Sequence, residues 1–316
     1  MSISILKSGI LNTVQDLGRN GFRHLGINPG GAMDRHAARL INILLGNEET
    51  GAVLEMHFPA PVLEFEKDAL IALGGADFSA KLNEKPLENW RPIFANRQDV
   101  LSFPERKSGA RIYLAARGGL AAEKWLGSAS ANLRAGFGKA LRKGDKVFFN
   151  SQFAIRNPRF NYKISNSLIP RYSNFPTVRV TAGAEFDGLT APSAESFLKN
   201  SFTVTPNSDR MGFRLAGEPL YLPENVRLVS SAVNFGTIQL LPDGQMIVLM
   251  ADHQTTGGYP RLAHIAEIDL PLVAQLNAND KIYFKMISPA EAENLILQHE
   301  KDLSLLKTAV KLSNNF

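Results

Sequence analysis

Asp252, His253, Gln254, Thr255, Thr256, Gly257, Gly258, Tyr259 and Pro260 follow one another in the chain, placing an acid, an imidazole, an amide and two hydroxyls ahead of a Gly-Gly step. The apolar run from Met246 to Ala251 leads into them and reads as a buried strand. Polar groups at the end of such a strand lose water on folding, so each must find a hydrogen-bond partner or a ligand. Paired glycines permit positive φ or a close backbone approach. A polar hairpin turn is the plain alternative for this pattern. The density of acid–base and amide groups favours a site instead. In that reading Asp252 and His253 handle protons, while Gln254, Thr255, Thr256, Gly257, Gly258 and Tyr259 bind substrate.

A second polar run, Ser208-Asp209-Arg210-Met211-Gly212-Phe213-Arg214-Leu215, adds an acid and two guanidinium groups. Asp209 is placed to accept from an amide N–H or to act as a base; the alternative is a turn aspartate that caps the next segment. Arg210 and Arg214 are candidates to clamp a carboxylate or phosphate, unless one of them pairs with Asp209. Gln239, within Gly236-Thr237-Ile238-Gln239-Leu240, can orient an amide. Arg134 precedes Gly136-Phe137-Gly138, whose backbone N–H groups could cradle an anion. Asp16 and Arg19 flank Gly18, and an internal salt bridge that fixes their loop is the favoured reading.

Short β-rich runs must position these residues. Ala69–Leu73, Arg111–Leu114, Lys146–Phe149, Thr177–Val180, Val226–Val229 and Lys281–Phe284 all read as strands, with Gly, Asn, Asp or Pro between them. Four helices are expected: one capped by Asp34 and running to about Leu45, one opened by Pro192, a short one capped by Asp269, and the longest beginning at Ser288-Pro289. Ser151 to Phe175 breaks the rhythm and is rich in Asn, Ser, Pro and basic residues. The division expected is an N-terminal β-rich domain over 1–155, a linker over 156–175 and a C-terminal domain over 176–316. Many short strands with few helices argue for a mainly β chain built of barrels or sandwiches.

Composition removes several classes. The 316 residues are 44% hydrophobic and 21% charged, as in soluble globular proteins, and their length suits two domains. The absence of cysteine excludes disulfides, zinc thiolates and cysteine nucleophiles, and fits a cytoplasmic protein. No signal-peptide order or membrane-length apolar run is present. The net charge of +5 is mild, and its two basic clusters read as solvated surface, without a nucleic-acid module. There is no phosphate loop and no His-Glu-x-x-His, and the six histidines lack ligand spacing, so no metal site is expected. Lys285-Met286 is not a biotin-attachment sequence.

Four segments nonetheless form a recognisable set: Thr13 to His24 continuing through Gly31-Ala32-Met33-Asp34, Leu133 to Gly138, Ser208 to Leu215, and Asp252 to Arg261. Together they resemble the family variously called allophanate hydrolase subunit 2, the biotin-dependent carboxyltransferase domain, and the C subunit of the prokaryotic ATP-dependent 5-oxoprolinase. The resemblance spans about residues 3 to 287. It departs from the family at Lys139, where glycine is more frequent, and at Ser128-Ala129-Ser130-Ala131-Asn132, where a more polar run is usual. The resemblance implies two cyclophilin-like β-barrel domains. It also implies a partner of related fold, the B subunit, and a third component, the A subunit. The activity implied is ATP-dependent opening of the lactam of 5-oxo-L-proline, with ATP and Mg at or shared with the partner and no covalent biotin on this chain. The alternatives are a carboxyltransferase component of a biotin-dependent urea or amide carboxylase, and a non-catalytic regulator that binds a kinase-inhibitor-like partner.

Overall fold

The computed structural model describes residues 1–150, 162–223 and 228–314. Part of the expected linker, 156–161, lies outside the described residues, as do Val226 and Arg227 of one expected strand; Leu228 and Val229 are not in a strand. The chain forms two compact units that interleave in sequence. One comprises Met1–Arg19, Gly30–Pro170 and Lys301–Phe316; the other comprises Asn20–Pro29 and Arg171–Glu300. The expectation of a mainly β chain holds.

The first unit carries strands β1 (Ser2–Lys7), β2 (Asn12–Gln15), β3 (Val53–His57), β4 (Val62–Phe65), β5 (Ala69–Asp77) and β6 (Lys81–Leu82). It continues with β7 (Lys85–Pro86), β8 (Pro92–Ala95), β9 (Val100–Ser102), β10 (Ser108–Ala116), β11 (Leu120–Ala121) and β12 (Lys146–Phe149). They make a seven-stranded sheet in the order β11-β12-β1-β4-β9-β6-β7 and a five-stranded sheet in the order β2-β3-β10-β5-β8. Ile3, Ile5, Leu54, Met56, Phe65, Leu73, Ile112, Leu114 and Val147 from both sheets share one buried core. Alternation explains the pattern: in β1, inward Ile3 and Ile5 alternate with Ser4 and Leu6.

Helix α1 (Arg35–Leu44) packs on β5 and β10. Asp34 caps it, its carboxylate accepting from the Ala37 N–H at 2.9 Å. The preceding Met33 N–H donates to Glu55 at 2.9 Å, and the Tyr113 hydroxyl donates to the same carboxylate at 2.8 Å while accepting from the Asp34 N–H at 2.8 Å. All of these groups are buried, and burial pushes the Tyr113 phenol well above its usual range. The Met33-Asp34 part of the first motif therefore ties a helix start to two strands.

The second unit contains β13 (Thr177–Ala182), β14 (Phe202–Val204), β15 (Gly212–Ala216), β16 (Ser231–Ala232) and β17 (Thr237–Leu240). After these come β18 (Met246–Leu249), β19 (Thr256–Gly257), β20 (Arg261–Ile265) and β21 (Lys281–Met286). Seven of them close a barrel in the order β13-β20-β17-β18-β15-β14-β21. Closure comes from β13, which pairs antiparallel with β20 and parallel with β21. Val178, Val180, Phe213, Leu215, Ile238, Val248, Ile282 and Phe284 are buried. Helix α2 (Ala191–Lys199), with Pro192 in its first turn, adds Phe197, which stacks on Phe284 with ring centroids 4.8 Å apart.

Helix α3 (Leu270–Ala274) starts at Asp269, as expected, but that carboxylate makes no cap hydrogen bond and binds Arg179 instead. Helix α4 (Pro289–Asn314) begins with a reciprocal capping box: the Ser288 hydroxyl accepts from the Glu291 N–H at 3.2 Å, and Glu291 accepts from the Ser288 N–H at 2.8 Å. Among the described residues no helix is long and apolar enough to cross a membrane.

Candidate active site

The polar stretch and Gln239 meet on one face of the barrel wall. On β17, Ile238 alternates with Thr237 and Gln239, which therefore share the opposite face of the strand. Both Thr237 and Gln239 are fully buried nonetheless. The segment that follows β18 covers Gln239: its Nε2 donates to the Tyr259 carbonyl at 3.4 Å, and its Oε1 accepts from Gln254 Nε2 at 3.5 Å. A short ribbon fixes that segment, with Ser231 paired to Gly257 and Ala232 to Thr256. The Val233 N–H donates to the Thr255 carbonyl at 3.2 Å, and Arg23 holds the ribbon's base through Asn234 Oδ1 and the Val233 carbonyl.

The two glycines of the stretch act differently from each other. Neither takes positive φ, so the conformational freedom expected of them is not used. Gly257 permits close approach instead: a Cβ there would lie 2.7 Å from Gln239 Nε2, which would have to move. At Gly258 the nearest atoms would be the Leu228 carbonyl oxygen at 3.4 Å and Ser230 Oγ at 3.5 Å, which is ordinary contact.

Asp252 and Arg210 form a bidentate pair, Nε to Oδ2 at 2.8 Å and Nη2 to Oδ1 at 3.0 Å, with both side chains largely buried. The Asp252 N–H also donates to the Arg210 carbonyl at 2.8 Å, so the second polar run is bound to the first by main chain and side chain together. Asp209 is exposed and folds back on its own turn, accepting from the Met211 N–H at 2.7 Å and the Gly212 N–H at 3.3 Å. Arg214 stands exposed on β15, between buried Phe213 and Leu215, so it projects to the opposite side of that strand. His253 is buried, with Nδ1 2.5 Å from the Gln254 carbonyl. A carbonyl only accepts, so Nδ1 carries the proton of that bond. Thr255 is half-buried, while Thr256 and Tyr259 are exposed.

Three neighbouring groups were not singled out from sequence. His264, on β20, is paired in register with Thr237, and its Nδ1 lies 3.2 Å from the Thr237 hydroxyl. Burial, reinforced by the nearby Arg261 charge, pushes the His264 imidazole below its usual range, so it is neutral at neutral pH. Arg261 is opposite Gln239 in the β17–β20 ladder and binds Glu185 through Nε at 3.1 Å and Nη2 at 2.8 Å. The Arg261 hydrogen bond holds the Glu185 carboxyl below its ordinary value. Strand alternation on β20 could have flagged His264; nothing in the sequence connects Glu185 to Arg261.

Arg134 belongs to the first unit and is exposed. The loop after it is not an open cradle of donors. The N–H groups of Ala135, Gly136 and Phe137 donate to Asn132 Oδ1, the Leu133 carbonyl and the Asn132 carbonyl. In the same unit the Asp16 carboxylate accepts from Ser128 Oγ and Ser130 Oγ, each at 2.6 Å, and from the Ala129 N–H at 2.7 Å. Arg19 is buried beneath Trp125 and Phe137, with its guanidinium carbon 5.0 and 5.6 Å from the ring centroids.

The barrel wall thus carries a buried glutamine amide beneath a covering loop with a second amide, flanked by guanidinium groups matched to carboxylates. The family model described as "Carboxyltransferase domain, subdomain A and B" matches residues 25–286, and the chain belongs to that family. It is 34% identical over 316 residues to the 5-oxoprolinase C subunit of Haemophilus influenzae, covering 99% of this chain and 100% of that one. The Escherichia coli protein of the same name is 34% identical over 296 residues, covering 92% of this chain and 93% of that one. Among solved structures, the K. lactis urea amidolyase superposes with a TM-score of 0.88 at 28% identity, covering 96% of this chain and 20% of that one.

Proposed function

We propose that this chain is one component of an ATP-dependent 5-oxoprolinase, in which it helps to activate and hydrolyse the lactam of 5-oxo-L-proline to L-glutamate and is active only together with the A and B subunits. The observation that carries this reading is the 34% identity to the 5-oxoprolinase C subunit of H. influenzae across the whole of both chains. The site's chemistry supports it. An amide resists attack because its nitrogen lone pair is delocalised into the carbonyl, so a catalyst must hold it flat and manage a proton. The Gln254–Tyr259 segment, held over the buried Gln239 amide, suits the first task, and the imidazoles of His253 and His264 suit the second.

The nucleotide is assigned to the partner subunits. Phosphate charge needs cations or free N–H donors, yet Arg210 and Arg261 are matched by Asp252 and Glu185. Among the described residues no group of three or more acidic or histidine side chains is arranged to hold a metal ion. Arg210 and Arg261, with their carboxylate partners, therefore do not fit a Mg–nucleotide.

A second reading, the carboxyl-transferring component of a urea or amide carboxylase, is favoured by the TM-score of 0.88 to the K. lactis urea amidolyase. Reconstitution separates the two. The purified chain alone is expected to show no ATP-dependent 5-oxoproline hydrolysis, and glutamate formation is expected once the A and B subunits are added. Full turnover by the single chain, or carboxyl transfer from carboxybiotin without any 5-oxoproline turnover in the complete mixture, would refute the proposal.

A further inference from the structure

We infer that Gln239 is a positioning residue: its buried side-chain amide is the platform that fixes the height of the Gln254–Tyr259 segment above the barrel wall, and so places that segment for substrate. The inference rests on the reading that this face takes an amide substrate. Burying a carboxamide costs free energy unless it is hydrogen-bonded. Gln239 is fully buried, and the two side-chain bonds it makes, at 3.4 and 3.5 Å, both go to the one covering segment. They hold that segment at both ends, through the Gln254 side chain and the Tyr259 carbonyl. Between these points the backbone comes so near that a Cβ at Gly257 would lie 2.7 Å from Nε2, so the Gln239 amide would have to shift to admit one. The next main-chain bond, from the Leu240 N–H to the Pro260 carbonyl at 2.9 Å, continues the same clamp into the barrel ladder. An apolar side chain of similar size would fill the space without tying either end. Tyr259, exposed at the end of the clamp, is the side chain whose place depends on it most directly.

The test has two arms. In the purified chain, Gln239→Leu is expected to raise hydrogen exchange over residues 254–259 and over their ribbon partners 231–233, with exchange in β13 and β21 unchanged. Unchanged exchange at 254–259 would overturn the inference, whatever the reaction proves to be. In the assembled enzyme, the same variant is expected to raise KM for the amide substrate by about tenfold or more while leaving KM for ATP unchanged. Equal effects on both constants, or none on the amide, would also overturn it. Should Gln239→Leu fold poorly, Gly257→Ala takes its place. It is expected to lift the segment and lower activity, and the double variant with Gln239→Ala, which removes the clashing atom, is expected to perform no worse than Gln239→Ala alone. Additive losses in that cycle would count against the platform. An inactive wild-type complex whose Gln239→Leu chain still loosens at 254–259 would refute the proposed reaction and not the platform.

Discussion

Asp252 and Arg210 lie 42 positions apart, yet each satisfies the other's charge in two parallel hydrogen bonds. From sequence, Asp209 is a candidate partner for Arg210 or Arg214; in the fold its carboxylate accepts from the Met211 and Gly212 N–H groups of its own turn. Local chemistry won at Asp209 because an aspartate two residues before a free N–H closes a turn at little entropic cost. His264 makes a separate prediction. Its imidazole is pushed down by burial first and by the Arg261 charge second, so the folded state resists protonation more than the unfolded chain does. Well above pH of about 6.5 both states are neutral there and the residue contributes no pH dependence. As pH falls below that value the unfolded chain binds the proton first, and stability declines until the folded pKa is passed. Urea unfolding at a series of pH values between roughly 7.5 and 5 should show this decline in the wild type and a shallower one in His264→Gln. Parallel profiles would mean that burial and the Arg261 charge do not lower the imidazole's proton affinity in the folded state.

The elements with local signals are those the sequence makes plain. Ser288 and Glu291 announce the start of α4 because a capping box needs only four consecutive residues. Asp34 announces α1 and Pro192 the first turn of α2 for the same reason. The two-stranded β16–β19 ribbon was not legible, since its pairing joins residues about 25 positions apart and involves only two on each side. The platform beneath it was legible in residue type but not in role. Gln239 stands out as a polar side chain among apolar strand positions, yet only the fold reveals which loop it holds. The glycine pair carries the clearest consequence. Gly258→Ala adds a methyl group at ordinary contact distance in a backbone region open to all residues, so its stability should change by less than about 1 kcal/mol. Thermal unfolding of the variant checks this, and a larger loss would show that the segment packs more tightly against Leu228 and Ser230 than its distances indicate.

At the scale of the molecule, interleaving decides what can be removed. The sequence suggests a simple cut in the region of residues 156–175, but each compact unit draws chain from elsewhere: Asn20–Pro29 belongs with the second unit and Lys301–Phe316 with the first. The end of α4 is therefore part of the first unit's stability, although it lies beyond the residues matched by the family model. Leu303 and Val310 are buried there, and Lys307 reaches Glu49 at 2.9 Å, beside the Arg39 pair that shares the same carboxylate. Removing the chain from Lys301 onward deletes both apolar anchors and one of the two cations that hold the Glu49 carboxyl below its usual range. Losing two buried aliphatic side chains costs roughly 3 kcal/mol or more. The truncated protein should accordingly melt at least several degrees lower, and hydrogen exchange should rise first in α1, whose residue Arg39 shares Glu49 with Lys307. A double substitution, Leu303→Ala with Val310→Ala, should reproduce most of that loss in the full-length chain. If the truncation left the melting temperature and α1 exchange unchanged, the terminal helix would be an appendage, and the first unit would be complete without it.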